Sequence, residues 1–342
     1  MVSLDVNKNR YLSIDGLRAY GAIGIMSMHV MANGQFQLPD AAKLFISPMG
    51  EFVYLFMAIS AFSLCCGYYD RFLNGSISIE SFYRRRFAKI FPFFAVLCLI
   101  DLISEPSLSS LLEVFANLTL CFGLLPNPTM SVIGVGWFIG LIFVFYLIFP
   151  FFCFLLADKK RAWFALLVAL TYSIACKAYF FDENHVVAGY DFRVNILYCS
   201  VFFIGGGLVF LYRSQIENAP KSVARILLAI ACVSYLCIAL YGANTILLIP
   251  FVLSLLAYSA RSCHPKWLVN RFSSSMSRIS LEIYLCHMPV FRLANRLIPL
   301  NQMPYAAAIF LVAFGAVSFS CLFRYLERLM VGLSNKTFHK AN

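Results

Sequence analysis

Residues 132–156 read VIGVGWFIGLIFVFYLIFPFFCFLL. The stretch has no charged side chain and, at about 1.5 Å of rise per helical residue, is long enough to cross the roughly 30 Å hydrocarbon core of a bilayer. Its apolar residues are continuous, which excludes the every-second-residue pattern of a membrane β-barrel strand. Similar runs extend outward in both directions, near residues 12–32, 51–69, 90–104, 162–181, 192–212, 225–241, 244–260, 279–297 and 304–324. With 132–156 they make ten expected spans, so the chain reads as an all-α, polytopic membrane helix bundle. Of its 342 residues, 61% are hydrophobic and 13% charged, against about 25% charged in soluble domains. A large aqueous domain is excluded.

The net charge of +11 would invite a nucleic-acid reading if the basic residues clustered on one face, so their placement decides. One set of alternate loops holds Lys8, Arg10, Arg18, Arg71, Arg84, Arg85, Arg86, Lys89, Lys159, Lys160, Arg161, Arg213, Lys221 and Arg225. The same side takes Arg261, Lys266, Arg271, Arg278, Arg324, Arg328, Lys336 and Lys340, and the other keeps only Lys43, Lys177, Arg193, Arg292 and Arg296. The positive-inside rule then puts both termini in the cytoplasm. The excess is topology: the expected partner is the lipid bilayer, and no nucleic acid is expected. Parity also requires an even number of spans between the basic stretches 84–89 and 159–161. The moderately apolar residues 108–125 are therefore expected to form an interfacial or re-entrant outer segment, with Asn117 and Thr119 in a wetter setting. Most of the twelve cysteines, such as Cys65, Cys66, Cys153, Cys232 and Cys286, fall inside apolar runs and read as small buried hydrophobes. The basic start resembles a signal peptide, but Asp15 and Arg18 interrupt the apolar core, and the segment is expected to be retained.

Ionisable residues inside a span are costly and usually face protein or water. The first span carries Asp15, Arg18 and His29. At about 100° per residue all three share one stripe, with His29 about 16 Å deeper than Arg18. Asp15 and Arg18, three apart, can pair, and a neutral imidazole at depth can accept a proton. A packing hydrogen bond for His29 and a snorkelling Arg18 would satisfy the same spacing. Just before the third span, Ser81-Phe-Tyr-Arg84-Arg85-Arg86-Phe-Ala-Lys89 puts Arg86 or Arg85 on one face with Lys89, suited to phosphate or to plain anchoring. Trp137 and Tyr146 lie on the fourth span. Ser280, Tyr284 and His287 form one stripe on the ninth, with Glu282 off it and expected to pair with Arg278. The five histidines show no metal-ligand spacing, and neither a Gly-x-Ser-x-Gly elbow nor a Walker phosphate loop occurs, so no metal is expected.

In combination these residues resemble the acyltransferase 3 family of membrane O-acyltransferases. The likeness runs through Arg10-Tyr-Leu-Ser-Ile-Asp15-Gly-Leu-Arg18-Ala with His29, Gly50 to Ser60, Arg86-Phe-Ala-Lys89 before Pro92, Trp137-Phe to Tyr146-Leu-Ile-Phe-Pro150, and Ser280-Leu-Glu-Ile-Tyr-Leu-Cys-His287. Lys89 stands where the family usually has arginine, and Ser60-Ala61 where it often has Ser-Gly. One membrane-embedded domain over 1–342 is expected, without the separate soluble domain that many relatives append, and the resemblance implies a bacterial inner membrane. It implies transfer of an acyl group, commonly acetyl, from cytoplasmic acyl-CoA to a hydroxyl of a glycan or glycolipid, such as a lipid-linked O-antigen or capsular sugar. Arg18, Arg85, Arg86 and Lys89 would hold the coenzyme phosphates. His29 would act as general base or acyl carrier, with Asp15 orienting Arg18 and the pantetheine arm running along the first span. Trp137, Tyr146, Ser280, Tyr284 and His287 would serve the acceptor. The competing expectation is a secondary transporter or flippase for a glycan precursor, with Asp15, Arg18 and His29 as a path through the bundle.

Overall fold

The computed structural model describes residues 11–125, 132–181, 184–185, 192–261 and 265–340, with side chains through Met330. The expectations attached to Lys8, Arg10, His264, Lys336, His339 and Lys340 lie outside the described residues and side chains. Among the described residues the chain is helical, without a strand. The helices are α1 (Leu12–Gly34), α2 (Asp40–Ile46), α3 (Phe52–Leu64), α4 (Asp70–Leu73), α5 (Ile79–Ser104), α6 (Leu108–Leu118), α7 (Trp137–Leu156) and α8 (Lys159–Ala175). The second half holds α9 (Ile196–Leu211), α10 (Arg213–Asn218), α11 (Lys221–Tyr241), α12 (Thr245–Ser259), α13 (Arg271–Met276), α14 (Ser280–Leu297) and α15 (Tyr305–Lys340).

A helix stands at each of the ten expected stretches. Six segments are long and apolar enough to cross a membrane: Asp40–Leu73, Ile79–Ser104, Gly134–Leu156, Lys159–Phe180, Lys221–Tyr241 and Tyr305–Met330. The chain is an all-helical, multi-pass membrane protein. The apolar α9 and α12 are shorter, at 16 and 15 residues, and α1 and α14 carry the ionisable residues singled out above. Helix starts follow side-chain capping: Ser78, Asp158, Asn195 and Asn244 each accept a hydrogen bond from a backbone N–H in the first turn of α5, α8, α9 and α12, which satisfies donors that a helix leaves open.

The α6 segment is an 11-residue helix, about 16 Å long and too short to cross. Leu108, Leu111, Leu112 and Phe115 are exposed along one of its faces, the pattern of a helix lying against lipid. Asn117, expected in a wet setting, is instead fully buried and donates from Nδ2 to the Glu113 carbonyl at 2.9 Å. A local bond one turn back takes up its amide nitrogen. The eleven described cysteines are free, and Cys65, Cys98, Cys153, Cys176, Cys199 and Cys286 are buried. Cys232 departs from the expectation: it lies exposed on α11, because only one face of that helix meets protein.

Close helix approach depends on two glycines. A Cβ on Gly206 of α9 would sit 2.2 Å from the Ala58 carbonyl oxygen of α3, and one on Gly16 of α1 would sit 2.1 Å from that of Leu268. Small residues let helices approach backbone to backbone where lipid supplies no hydrophobic drive for association. The Gly16 contact is with the turn before α13, and α1 lies deep in the bundle beside α3, α13, α14 and α15, which positions its polar stripe.

Candidate active site

Two adjoining cavities open among α1, α3, α5, α7, α14 and α15. The first, of about 210 Å3, is lined by Arg18, Arg86, Lys89, Arg278 and Arg324 against the single carboxylate of Glu282. The second, of about 460 Å3, shares Arg18, Ser63, Lys89, Ser277 and Arg278 and adds Asp15. Five cations thus converge on one recess with two carboxylates, an electrostatic setting that favours an anionic ligand of more than one charge.

Each cation is held differently. Arg18 forms an ion pair with Asp15 (Nη1–Oδ1 3.1 Å) and donates from Nη2 to Ser63 Oγ at 2.5 Å. Arg86 lies over the Tyr68 ring, 5.0 Å from its centroid, and donates to the Tyr68 hydroxyl at 2.8 Å. Its Nε is buried with no hydrogen-bond partner among the described residues, and an unmet buried donor of this kind is costly unless a ligand answers it. Tyr68 reaches this position from the π-helical turn Cys65–Tyr69 between α3 and α4. On α5 Phe82, Ile90 and Phe93 are buried, and on the same stripe Arg86, half-buried, and Lys89, exposed, line the recess. Arg85, expected to hold phosphate, lies about 60° from Phe82 at the edge of that stripe, is exposed, and lines neither cavity.

Glu282 does not pair with Arg278 as its spacing suggested. It accepts from Arg324 of α15, with Nη2–Oε1 at 2.5 Å and Nε–Oε1 at 2.9 Å. The four-residue rule fails because α14 begins only at Ser280, and Ser277–Ile279 is a tighter 3-10 turn. Arg278 donates instead to the Ser274 carbonyl at 3.2 Å.

The first cavity has an apolar wall that includes Phe56, Ile59, Ile139, Ile142 and Leu281, and Tyr146, Ser280 and Tyr284 also line it. Tyr146, Ser280 and Tyr284, expected on the acceptor side, therefore share a space with the cations. Trp137 lines neither cavity and packs edge-on against Phe138, centroids 6.1 Å apart.

His29 and His287 come together from opposite ends of the sequence, with ring centroids 5.2 Å apart. His287 is completely buried, and its Nδ1 lies 3.2 Å from the Ile283 carbonyl. A carbonyl only accepts, so Nδ1 carries the proton, and Nε2 presents a lone pair that meets no partner among the described residues. Neither histidine lines the cationic cavities. The expected open path along α1 is interrupted by Phe56, Phe138 and Tyr284, whose centroids lie 5.5–6.3 Å from one another. Tyr284 in turn sits 6.2 Å from His287. The obstruction arises at Gly21, between Arg18 and His29, where the Phe56 ring lies so close that a Cβ would be 2.7 Å from its Cε1.

A family model described as an acyltransferase domain matches residues 11–325, nearly the whole chain. The chain belongs to the acyltransferase 3 family. The acyltransferase MdmB of Streptomyces mycarofaciens is 33% identical over 156 residues, an alignment covering 41% of this chain and 38% of the relative's own length. No solved structure matches. In this acyltransferase 3 chain, Ser63, Arg278 and Arg324 line the recess, and Tyr68 holds Arg86 beside it, without having been singled out as site residues. Arg278 reads only as a loop charge and the expected partner of Glu282, and Arg324 only as a loop charge, because nothing local announces that α15 carries Arg324 up beside Glu282. Ser63 and Tyr68 lie in an apolar run whose period does not distinguish the cavity face from the lipid face.

Proposed function

We propose that this membrane acyltransferase takes an acyl group, acetyl in the simplest case, from acyl-CoA bound at its cytoplasmic face and passes it to a hydroxyl of a glycan or glycolipid. The host membrane is the bacterial inner membrane, ten helices cross it, and both termini lie in the cytoplasm. The observation that carries the reading is the recess of five cations, with an orphaned Arg86 Nε, continuing into an apolar-walled cavity that ends one aromatic ring from the His29–His287 pair. Arg86, Lys89 and Arg278 answer the phosphates, with Asp15 holding Arg18 beside them. The apolar wall takes the pantetheine arm. Phe56, Phe138 and Tyr284 part to admit the thioester. His29 then removes the acceptor's hydroxyl proton as the oxygen attacks the thioester carbonyl. The C–S bond breaks, and the proton passes from His29 to the departing thiolate.

Purified protein should bind acetyl-CoA, and Arg86→Ala should weaken that binding by roughly 10- to 150-fold, in line with the loss of one charge-assisted contact of about 1.5–3 kcal/mol. Arg85→Ala should leave it within twofold. Isothermal titration with acetyl-CoA reads both. Equal affinity in the wild type and Arg86→Ala would remove the phosphate role, and equal losses in both variants would mean that bulk surface charge, rather than the recess, attracts the coenzyme.

A further inference from the structure

The resemblance implies an acceptor role for His287, yet the ring is completely buried and lines neither cationic cavity. A side chain with no exposed surface acts through a neighbour. With the Nδ1 proton given to the Ile283 carbonyl, Nε2 is a buried acceptor that meets no donor among the described residues, and such an atom is costly to leave unmet. The rings beside it are those of Tyr284 and His29. Tyr284 is already committed, its hydroxyl donating to the Val135 carbonyl at 2.8 Å in the turn before α7. Cys286, next in sequence, turns towards α15, with Sγ 3.6 Å from the Ala316 carbonyl and 3.8 Å from Ser320 Oγ. His29 remains.

The His29 ring is half-buried, its centroid 5.2 Å from that of His287 and its plane tilted by 47°. Asn33 Nδ2 takes its backbone carbonyl at 2.8 Å, and the ring itself makes no hydrogen bond among the described residues. A neutral imidazole carries one N–H donor and one acceptor nitrogen, so His29 can supply what His287 Nε2 lacks. Both helices are tied at this depth. The Tyr284 hydroxyl fixes α14 to the turn before α7, and Tyr305 at the start of α15 donates to the Ser27 carbonyl of α1 at 2.7 Å, two residues before His29. The two imidazoles are thereby kept side by side.

We infer that His287 is a positioning residue for His29: a turn of the His29 ring brings its N–H onto His287 Nε2, which fixes the tautomer of His29 and leaves its second nitrogen as the base. The inference rests on the acyl-transfer reading and deepens it. The chain from the Ile283 carbonyl through His287 to His29 follows the logic of a base oriented by a third group. As the acceptor oxygen attacks the thioester, its proton moves to the free nitrogen of His29. The proton on the inner nitrogen stays hydrogen-bonded to His287 Nε2, which accepts the bond without taking the proton. The outer proton then leaves on the thiolate, and His287 ends the cycle as it began. A neutral ring gives this support inside an apolar bundle without the cost of burying a carboxylate.

Two replacements separate this role from packing. His287→Phe keeps a ring in the space and offers no acceptor, whereas His287→Gln changes the shape and keeps an oxygen that accepts. Thiol release from acetyl-CoA with acceptor-bearing membranes gives kcat, and acetyl-CoA affinity is measured on the purified full-length variants. His287→Phe should lower kcat by roughly 10- to 150-fold, the factor that corresponds to one hydrogen bond to a charged group, with coenzyme affinity within about twofold of wild type. His287→Gln should be the more active of the two. Packing alone predicts the reverse order, so His287→Phe at or above His287→Gln would overturn the assignment, as would affinity losses that parallel the rate. A second measurement leaves His287 in place. In full-length protein with 15N-labelled histidine rings, His29→Ala should move the His287 Nε2 resonance towards that of an unbonded lone pair. An unmoved resonance would overturn the link even if both His287 replacements fail to fold. Wild-type protein that releases no thiol would reject the acyl-transfer reading and the catalytic role with it, while the resonance would still report whether the two rings are bonded.

Discussion

Replacing His29 with alanine is expected to lower acyl transfer by a factor on the order of 10² to 10⁴, the usual contribution of a positioned general base. The protein should still reach the membrane in normal amount. His29 lines neither cationic cavity, so acetyl-CoA affinity should stay within twofold, and this separates loss of chemistry from loss of donor binding. His29→Gln fills more of the same space beside the His287 ring, 5.2 Å away, yet offers no base, and should be as inactive as alanine. Thiol release from acetyl-CoA, measured with acceptor-bearing membranes, gives the rate. Retained activity in the glutamine variant would show that the ring is needed only for packing.

Gly206 is expected to be among the glycines most sensitive to enlargement. A Cβ there would sit 2.2 Å from the Ala58 carbonyl oxygen and 2.8 Å from its carbon, and those atoms belong to the backbone of α3. No side chain can swing aside, so α9 would have to move off α3 over the length of their contact. Overpacking of this kind costs about 1–3 kcal/mol. Gly207→Ala meets Phe152 Cζ at 2.6 Å, the far end of a side chain that can rotate, and should cost less. Gly67→Ala meets nothing within 4 Å and should be neutral or slightly stabilising, as alanine restricts the unfolded chain more than glycine. Thermal unfolding midpoints in detergent should fall in the order Gly67→Ala, Gly207→Ala, Gly206→Ala. A Gly206→Ala protein as stable as Gly67→Ala would mean that α9 and α3 adjust independently.

Much of the candidate site was legible in advance because helical periodicity is a local property. The three-residue spacing of Asp15 and Arg18 predicts an ion pair, and the pair forms at 3.1 Å. Arg86 and Lys89 share a face by the same rule and line one cavity together. The failures are equally specific. Arg85 and Arg86 differ by one step on a helix, and which of them turns inward depends on the angle at which α5 meets its neighbours. Glu282 had a partner at the right spacing in Arg278, yet the helix begins two residues too late for that rule to apply, and Arg324 takes the carboxylate. Tyr146, expected at the acceptor side, lines the cavity that also holds the cations.

The amino-acid sequence alone determined that this chain is a bundle of apolar helices in a membrane, and which family it resembles. Continuous apolarity, the alternation of charge and a few polar residues at helical spacing are short-range properties that survive without any neighbour. Only the tertiary structure decided which polar residues meet. Across the bundle, His29 finds His287, Arg324 finds Glu282, and Phe56 closes the groove at Gly21. Those pairings depend on how closely helices far apart in sequence approach one another and how each is rotated, and a three- or four-residue period carries no record of either.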